Sequence, residues 1–207
     1  MLEESPCPLC GAAARLYHRD KKRPYMQCGQ CALVYVPPSF RPGPAVEKAE
    51  YDLHENAVND AGYRRVLSRL ADPLREKLPA GASGLDFGCG PAPALAAMLV
   101  GAGHCMSVYD PFYFPNPKVL QGRYDFITAT EVVEHLHDPR SDLARLWGLL
   151  LPGGWLGVMT KLVRDPQAFA TWHYKNDPTH VCFFSRDTWR WWADTHGVKA
   201  VSYTHLR

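Results

Sequence analysis

The sequence predicts an α/β protein: a doubly wound, mostly parallel sheet with helices on both faces, preceded by a small cysteine-bearing ribbon. Three observations predict it. From residue 84 onward, short β-rich runs alternate with stretches of helical periodicity, which implies parallel strands joined by crossover helices. The first run, "LDFGCG", breaks at a glycine turn that opens into a helical segment. Ahead of all of them stand two C-x-x-C pairs that fit neither texture.

The bulk numbers set the frame. A chain of 207 residues can bury one good core with a small appendage, hardly two full domains. With 46% hydrophobic and 21% charged residues, its composition is that of a soluble globular protein. A net charge of +2 announces neither a nucleic acid nor an anionic membrane as partner. No apolar run approaches the roughly 18 residues of a membrane span, and the acidic start "MLEES" is no signal peptide. Cys89, Cys105 and Cys182, as free thiols, point to a reducing cytoplasm.

Residues 1–36 form the ribbon. "CPLCG" is followed, after seventeen residues that intervene between Cys10 and Cys28, by "CGQC". Each C-x-x-C brings two thiolates onto one tight turn, and two such turns complete a tetrahedral sulfur site that suits zinc. A structural zinc is therefore expected on Cys7, Cys10, Cys28 and Cys31. Gly11 and Gly29 are expected to supply positive φ at the two knuckles. A redox reading would need only one pair, near a βαβ unit. Between the knuckles, Arg15, Arg19, Lys21, Lys22 and Arg23 beside Tyr17 and Tyr25 read either as a solvated hairpin tip or as a grip on a nucleic-acid strand.

Residues 37–58 read as a proline-rich linker whose end, "YDLHENAVND", could serve as a lid over a ligand; Tyr51 and His54 read as helix-surface residues. Residues 59–207 then make the main domain. Val66, Leu67, Leu70, Leu74 and Leu78 keep helical spacing, with Pro73 expected to kink or divide the helix. "GLDFG", "CMSVYD", "YDFITAT" and "WLGVMT" are the strands. Leu143, Leu146, Trp147 and Leu150 mark another helix, started by the Asp138-Pro139 cap. Trp189 and Trp192 read as a buried helix face, Cys182 as core, and Trp172 to Lys175 as either pocket lining or core. "VKAVSYTHLR" offers one last strand where such sheets usually close with a hairpin, so a clipped sheet with an exposed edge is expected.

The glycine turn in "LDFGCGPAPALAAML" is the geometry that holds nucleotides at the carboxyl ends of parallel strands. A dinucleotide fingerprint would want a third glycine where Pro93 stands. Asp86, just before the turn, would repel a pyrophosphate but attract the ammonium of S-adenosylmethionine. Asp110, closing the next strand, could accept ribose hydroxyls.

Taken together, "LDFGCG", the acid in "VYDP", "YDFITATEVVEHL" and "LLLPGGWLGVMT" resemble the class I S-adenosylmethionine-dependent methyltransferases, over residues 84–160. The resemblance implies a Rossmann-like sheet and a cofactor held by Asp86, Gly88, Gly90, Asp110, Pro111, Phe112, Thr130 and Glu131. Two features depart from the family. Only about a dozen residues separate Asp110 from Tyr124, too proline-rich for the family's third strand, and Ala92 replaces a usual glycine or serine. Phe112 or Tyr113 would then flank the adenine.

"TEVVEHLHDP" packs Glu131, Glu134 and His135 onto one face of an expected helical turn, at i, i+3 and i+4. Two crowded carboxylates need a cation or a shared proton. With His180 downstream, the segment is similar to the metal site of small-RNA 3′-terminal 2′-O-methyltransferases and, more loosely, to ubiquinone-biosynthesis O-methyltransferases. That resemblance implies Glu131, Glu134, His135 and His180 as ligands of magnesium, manganese or zinc, and methyl transfer to a hydroxyl. Without a metal, His135 or His180 would be the general base beside Glu134. A different class stays open: a ribbon-led nucleic-acid-binding protein with a silent methyltransferase fold. The acceptor itself, small molecule, RNA or protein, is not legible, nor is the oligomeric state.

Overall fold

The structure is a computed structural model, which describes residues 5–53 and 57–202. Along the chain come strands β1 (Ala14–Arg19), β2 (Pro24–Cys28) and β3 (Val34–Tyr35), then helices α1 (Pro44–Tyr51) and α2 (Ala61–Arg75). They are followed by β4 (Ser83–Phe87), α3 (Ala94–Gly101), β5 (Cys105–Tyr109), β6 (Tyr124–Thr130), α4 (Pro139–Leu149) and β7 (Leu150–Met159). The last elements are α5 (Pro166–Ala170), β8 (Cys182–Phe183) and α6 (Arg186–His196). Among these residues no helix is long and apolar enough to cross a membrane.

The described chain gathers into two compact units, each drawn from separated segments. One takes residues up to Glu47, Val133–Asp142 and the stretch from Thr160 to Ser202; the other takes Lys48–Val132 and Leu143–Met159.

The second unit carries the parallel sheet, in the order β5-β4-β6-β7, every pairing parallel. β4 lies at the switch point, flanked by the next strand on one side and β6 on the other, the arrangement that opens a ligand crevice at strand C-termini. The expected α/β class and all four strand segments are present. Between β5 and β6 there is no strand; Pro117–Gln121 form a 3-10 turn, since prolines cannot donate to a ladder.

Leu67, Ala71 and Leu74 of α2 pack with Leu95 and Leu99 of α3 and with Phe126 of β6. Val66, expected in that stripe, is instead exposed. Pro73 does not divide α2: it sits in the last turn, two residues before Arg75 ends the helix. α4 begins as expected, with the Asp138 carboxylate accepting from the Ser141 N–H at 3.1 Å.

The first unit carries an antiparallel sheet, β1-β2-β3-β8. Its fourth strand comes from far downstream, pairing Val34 with Phe183 and Tyr35 with Cys182. Gly11 has the expected positive φ of 81°, but at the second knuckle it is Ala32, at 57°, and not Gly29. The strand expected in "VKAVSYTHLR" is absent over residues 198–202, and 203–207 lie outside the described residues, as does His54.

Candidate functional site

In the parallel-sheet unit, β4 delivers Asp86 to its C-terminal end almost fully buried. The Thr128 hydroxyl donates to Asp86 Oδ1 at 2.7 Å. Burial nevertheless pushes the carboxyl up to about 6, against the pull of Thr128 and the Ala96 N–H. The next turn is built on glycine. Gly88 has φ of 70°, its N–H donating to Tyr109 O at 2.8 Å, and an added Cβ would lie 2.5 Å from Val132 Cγ2. Gly90, with φ of 64°, has open space where its Cβ would be.

Asp110 ties this turn to the loop that follows β5. Its Oδ2 accepts from Gly90 N at 3.0 Å, and its Oδ1 from Phe112 N at 2.8 Å and Tyr113 N at 3.1 Å. A carboxylate offers about four lone-pair positions. Asp110 therefore keeps about one position for a further donor. Pro111 opens this loop. The Phe112 ring lies 5.7 Å from Tyr51, and the Tyr113 hydroxyl donates to Asp52 at 2.7 Å, so the end of α1 is latched to the loop.

Thr130 ends β6, and Glu131 follows with φ of 52°, its N–H held by Met159 O at 2.7 Å. Tyr63 of α2 escaped sequence reasoning. Burial, together with the charges of Asp86, Glu131 and Cys89, pushes its phenol up, which places it among these acids. Its only sequence signal was an aromatic at the start of an amphipathic helix.

In the ribbon unit the four cysteine sulfurs lie within 4.8 Å of one another, with Cys7 and Cys31 at 3.5 Å and Cys10 and Cys28 at 3.3 Å. Tetrahedral zinc with bonds of about 2.3 Å would set sulfurs roughly 3.8 Å apart, so the four fit such an ion. The Gln30 and Cys31 N–H groups donate to Cys28 Sγ, both at 3.4 Å, the contacts that stabilise a thiolate in a knuckle.

The same unit holds a second cluster: Glu134, His135 and His180 each offer a ligand atom within 4.8 Å of the others. The expected helical turn is a short 3-10 turn, Val133–His135, and Glu131 precedes it in left-handed backbone. That break in the helix removes the i, i+3, i+4 alignment, and the group comprises three of the four residues anticipated. Both imidazoles are fixed from behind. His135 Nδ1 meets Thr179 O at 3.2 Å and His180 Nδ1 meets Tyr174 O at 2.7 Å. A carbonyl can only accept, so each Nδ1 carries a proton, and in the neutral ring each Nε2 keeps its lone pair. The Tyr174 hydroxyl donates to Glu134 Oε1, and Thr160 Oγ1 lies 3.3 Å from that hydroxyl.

Asp177, which sequence reasoning passed over, has Oδ2 at 3.6 Å from His180 Nε2. Burial would raise it, but the Thr179 hydroxyl and N–H and the nearby histidines hold it below the usual carboxylate range. Its signal was the "DPT" turn, where an Asp side chain caps the N–H two residues on. Burial keeps His180 below its ordinary value, outweighing Asp177 and the Tyr174 carbonyl.

The basic loop is not a uniform cationic surface. Arg23 is buried, and its guanidinium donates to the carbonyls of Lys175, Asp177, Pro178 and His180. Lys175 is buried too, its Nζ bonded to Asp20 at 3.1 Å. Arg15, Arg19, Lys21 and Lys22 stay on the surface.

Residues 59–203 match a family described as a methyltransferase domain. Two curated relatives match a shorter stretch. The ubiquinone biosynthesis O-methyltransferase of Bordetella avium is 42% identical over 48 residues, and that of Leptothrix cholodnii 43% over 47; each match takes 23% of this chain. The matched stretch spans only 20% of either relative's own length. Among solved structures, a SAM-dependent methyltransferase from Thermotoga maritima, described as a possible histamine N-methyltransferase, aligns at 16% identity. It covers 68% of this chain and 77% of that one with a TM-score of 0.39, a likeness too distant to bear on the assignment. The family match, which spans the glycine turn, its two flanking acids and all four parallel strands, decides the matter: the chain belongs to the methyltransferase domain family, among the class I S-adenosylmethionine-dependent methyltransferases.

Proposed function

We propose that the protein transfers a methyl group from S-adenosylmethionine to the oxygen of a hydroxyl acceptor, using Glu134, His135 and His180 on the acceptor side, and that Cys7, Cys10, Cys28 and Cys31 hold a structural zinc. The observation that carries the acceptor-side reading is the pair of imidazoles locked by backbone carbonyls, both with Nε2 lone pairs, beside a buried carboxylate. Nδ1-locked histidines are the usual support of metal ligands. The names of the two matched relatives favour oxygen as the methyl acceptor.

The cofactor supplies a methyl on a cationic sulfur, which needs little further activation. The chain's part is binding and orientation. Asp86 would take the ammonium, whose charge favours the ionised carboxylate that burial disfavours. The open space beside Gly90 would admit the methionine portion, and Asp110 Oδ2 has a lone pair for one ribose hydroxyl. Pro111 and Phe112 would border the adenine; Thr130 and Glu131 stand at the end of β6, where strands of such sheets present their ligands.

A magnesium, manganese or zinc ion held by Glu134, His135 and His180 would lower the pKa of an acceptor hydroxyl. Asp177 supports a second reading without a cation: it lies where it would stabilise a protonated His180, and burial keeps His180 neutral and able to accept a proton. The experiment follows label from methyl-tritiated S-adenosylmethionine into phenols, RNA and protein, with and without a chelator that spares the ribbon zinc. Turnover lost to the chelator while calorimetric cofactor binding survives supports the cation. Turnover that survives chelation but is lost in His180→Ala supports the base. Turnover that survives both removes the cluster from the reaction.

A further inference from the structure

We propose that Arg23 of the ribbon is a positioning residue for His180, so that the ribbon hairpin sets the geometry of the Glu134–His135–His180 cluster. This rests on the reading of that cluster as the acceptor side of the site. The hairpin turn is fixed first: Asp20 Oδ1 accepts from Lys22 N at 2.8 Å and Arg23 N at 2.9 Å. From there the guanidinium reaches the segment 175–180, more than 150 residues away in sequence. Nη2 meets Lys175 O at 2.8 Å, Asp177 O at 2.8 Å and His180 O at 3.0 Å, while Nη1 meets Pro178 O at 2.9 Å. Four carbonyls of one loop thus converge on a single side chain, and the loop is drawn around it.

Two further contacts make the arrangement a clamp rather than one bond. Arg23 Nε donates to the Tyr25 hydroxyl at 3.1 Å, and that hydroxyl lies 3.0 Å from Asp20 Oδ2 and 3.2 Å from Lys175 O. The residue after His180 is held by the sheet: Val36 N donates to Val181 O at 2.9 Å, and Val181 N donates to Glu134 O at 2.8 Å. His180 therefore sits between the clamp and the β3–β8 ladder. The Tyr174 carbonyl that fixes its Nδ1 belongs to the residue just before Lys175, whose carbonyl the guanidinium holds. Loss of the fork would free the loop that presents the Tyr174 carbonyl to His180 Nδ1. A lysine keeps the charge but, as a compact ammonium, cannot span the same carbonyls.

The test uses the full, zinc-loaded chain with histidines labelled in nitrogen-15. Long-range proton–nitrogen spectra read the His180 tautomer, with His104 as a reference in the other unit, and His180→Gln assigns the signals. In the unaltered protein His180 should show protonated Nδ1. Arg23→Lys should move it to a mixture of tautomers with His104 unchanged, and should weaken binding of Mn2+ alone tenfold or more. A His180 pattern identical in Arg23→Lys and the unaltered protein overturns the proposal. If the unaltered protein binds no Mn2+ yet His180 moves in Arg23→Lys, the cation reading falls and the positioning role stands. If Arg23→Lys fails to fold, Tyr25→Phe, which removes only the hydroxyl of the clamp, is read in the same spectrum; a His180 pattern unmoved there overturns the proposal equally.

Discussion

Asp86→Asn separates charge from shape at the centre of the proposed cofactor site. The carboxyl is buried, and its value rises from the ordinary 3.8 to about 6. Between those values the native chain keeps a proton that the unfolded chain has released, so stability falls as pH rises. The contribution is present in full below about pH 4 and lost above about pH 6. At 1.36 kcal/mol per pH unit, the ionised carboxylate costs the empty protein about 3 kcal/mol at pH 8 and about half of that at pH 5. Asparagine keeps the oxygen that accepts from Thr128, but it turns an NH2 toward the Ala96 N–H, a penalty that does not vary with pH. The slope is thus the diagnostic quantity. Urea unfolding followed by tryptophan fluorescence, at pH 5 and pH 8 in the zinc-loaded protein, should show the stability of Asp86→Asn relative to the unaltered chain rising by about 1–2 kcal/mol. A difference between the two proteins that stays constant across that range would refute the burial argument. Binding of S-adenosylmethionine should oppose the slope, since its ammonium favours the charged carboxylate.

Three other outcomes follow from the geometry. Gly88→Ala places a side chain at φ of 70° with its Cβ 2.5 Å from Val132, and should cost about 1–3 kcal/mol by thermal unfolding and remove cofactor binding in calorimetry. Asp110→Asn keeps the oxygen facing Phe112 and Tyr113 but sets an NH2 against the Gly90 N–H; faster hydrogen exchange at Gly90 and a tenfold or greater loss of cofactor affinity should accompany it. Cys31→Ser should release the zinc that the unaltered chain retains, measured with a chromogenic chelator, and lower the melting temperature; equal zinc retention would detach Cys31 from the site.

The parallel sheet was legible because each strand is a local β-rich run and each crossover helix a local periodicity. The cysteine cluster was legible because two short spacings suffice to describe it. The prolines between Asp110 and Tyr124 correctly ruled out a strand there. What failed depended on contacts distant in sequence or on local backbone that spacing does not encode. Arg23 read as one cation among five in a hairpin tip, yet the carbonyls its guanidinium meets begin at Lys175. Asp177 carried no signal beyond a turn. Glu131 matched Glu134 and His135 at helical spacing, but its left-handed backbone breaks the helix on which that alignment relied. Asp110 was legible as an acid at a strand end, although not as the acceptor of three backbone N–H groups that leaves one position for a ligand.

The proposed zinc site gives the four cysteines ahead of the parallel sheet a physical role. The ribbon unit's sheet joins β3 to β8 and its clamp joins Arg23 to the loop before β8, closing a chain loop of about 150 residues. Closing so long a loop costs on the order of 4 kcal/mol in chain entropy alone. A two-residue strand such as β8 cannot supply that from its ladder, and the guanidinium must first give up its hydration. With the proposed zinc in place, a hairpin already folded on it would offer the distant segment a preformed edge and a preformed fork, so that ordering the hairpin would add nothing to the cost of closing the loop. On these two proposals the cysteines and Arg23 act as one device: a zinc on the first would make the hairpin rigid without a large core, and the second would use that rigidity to hold His180.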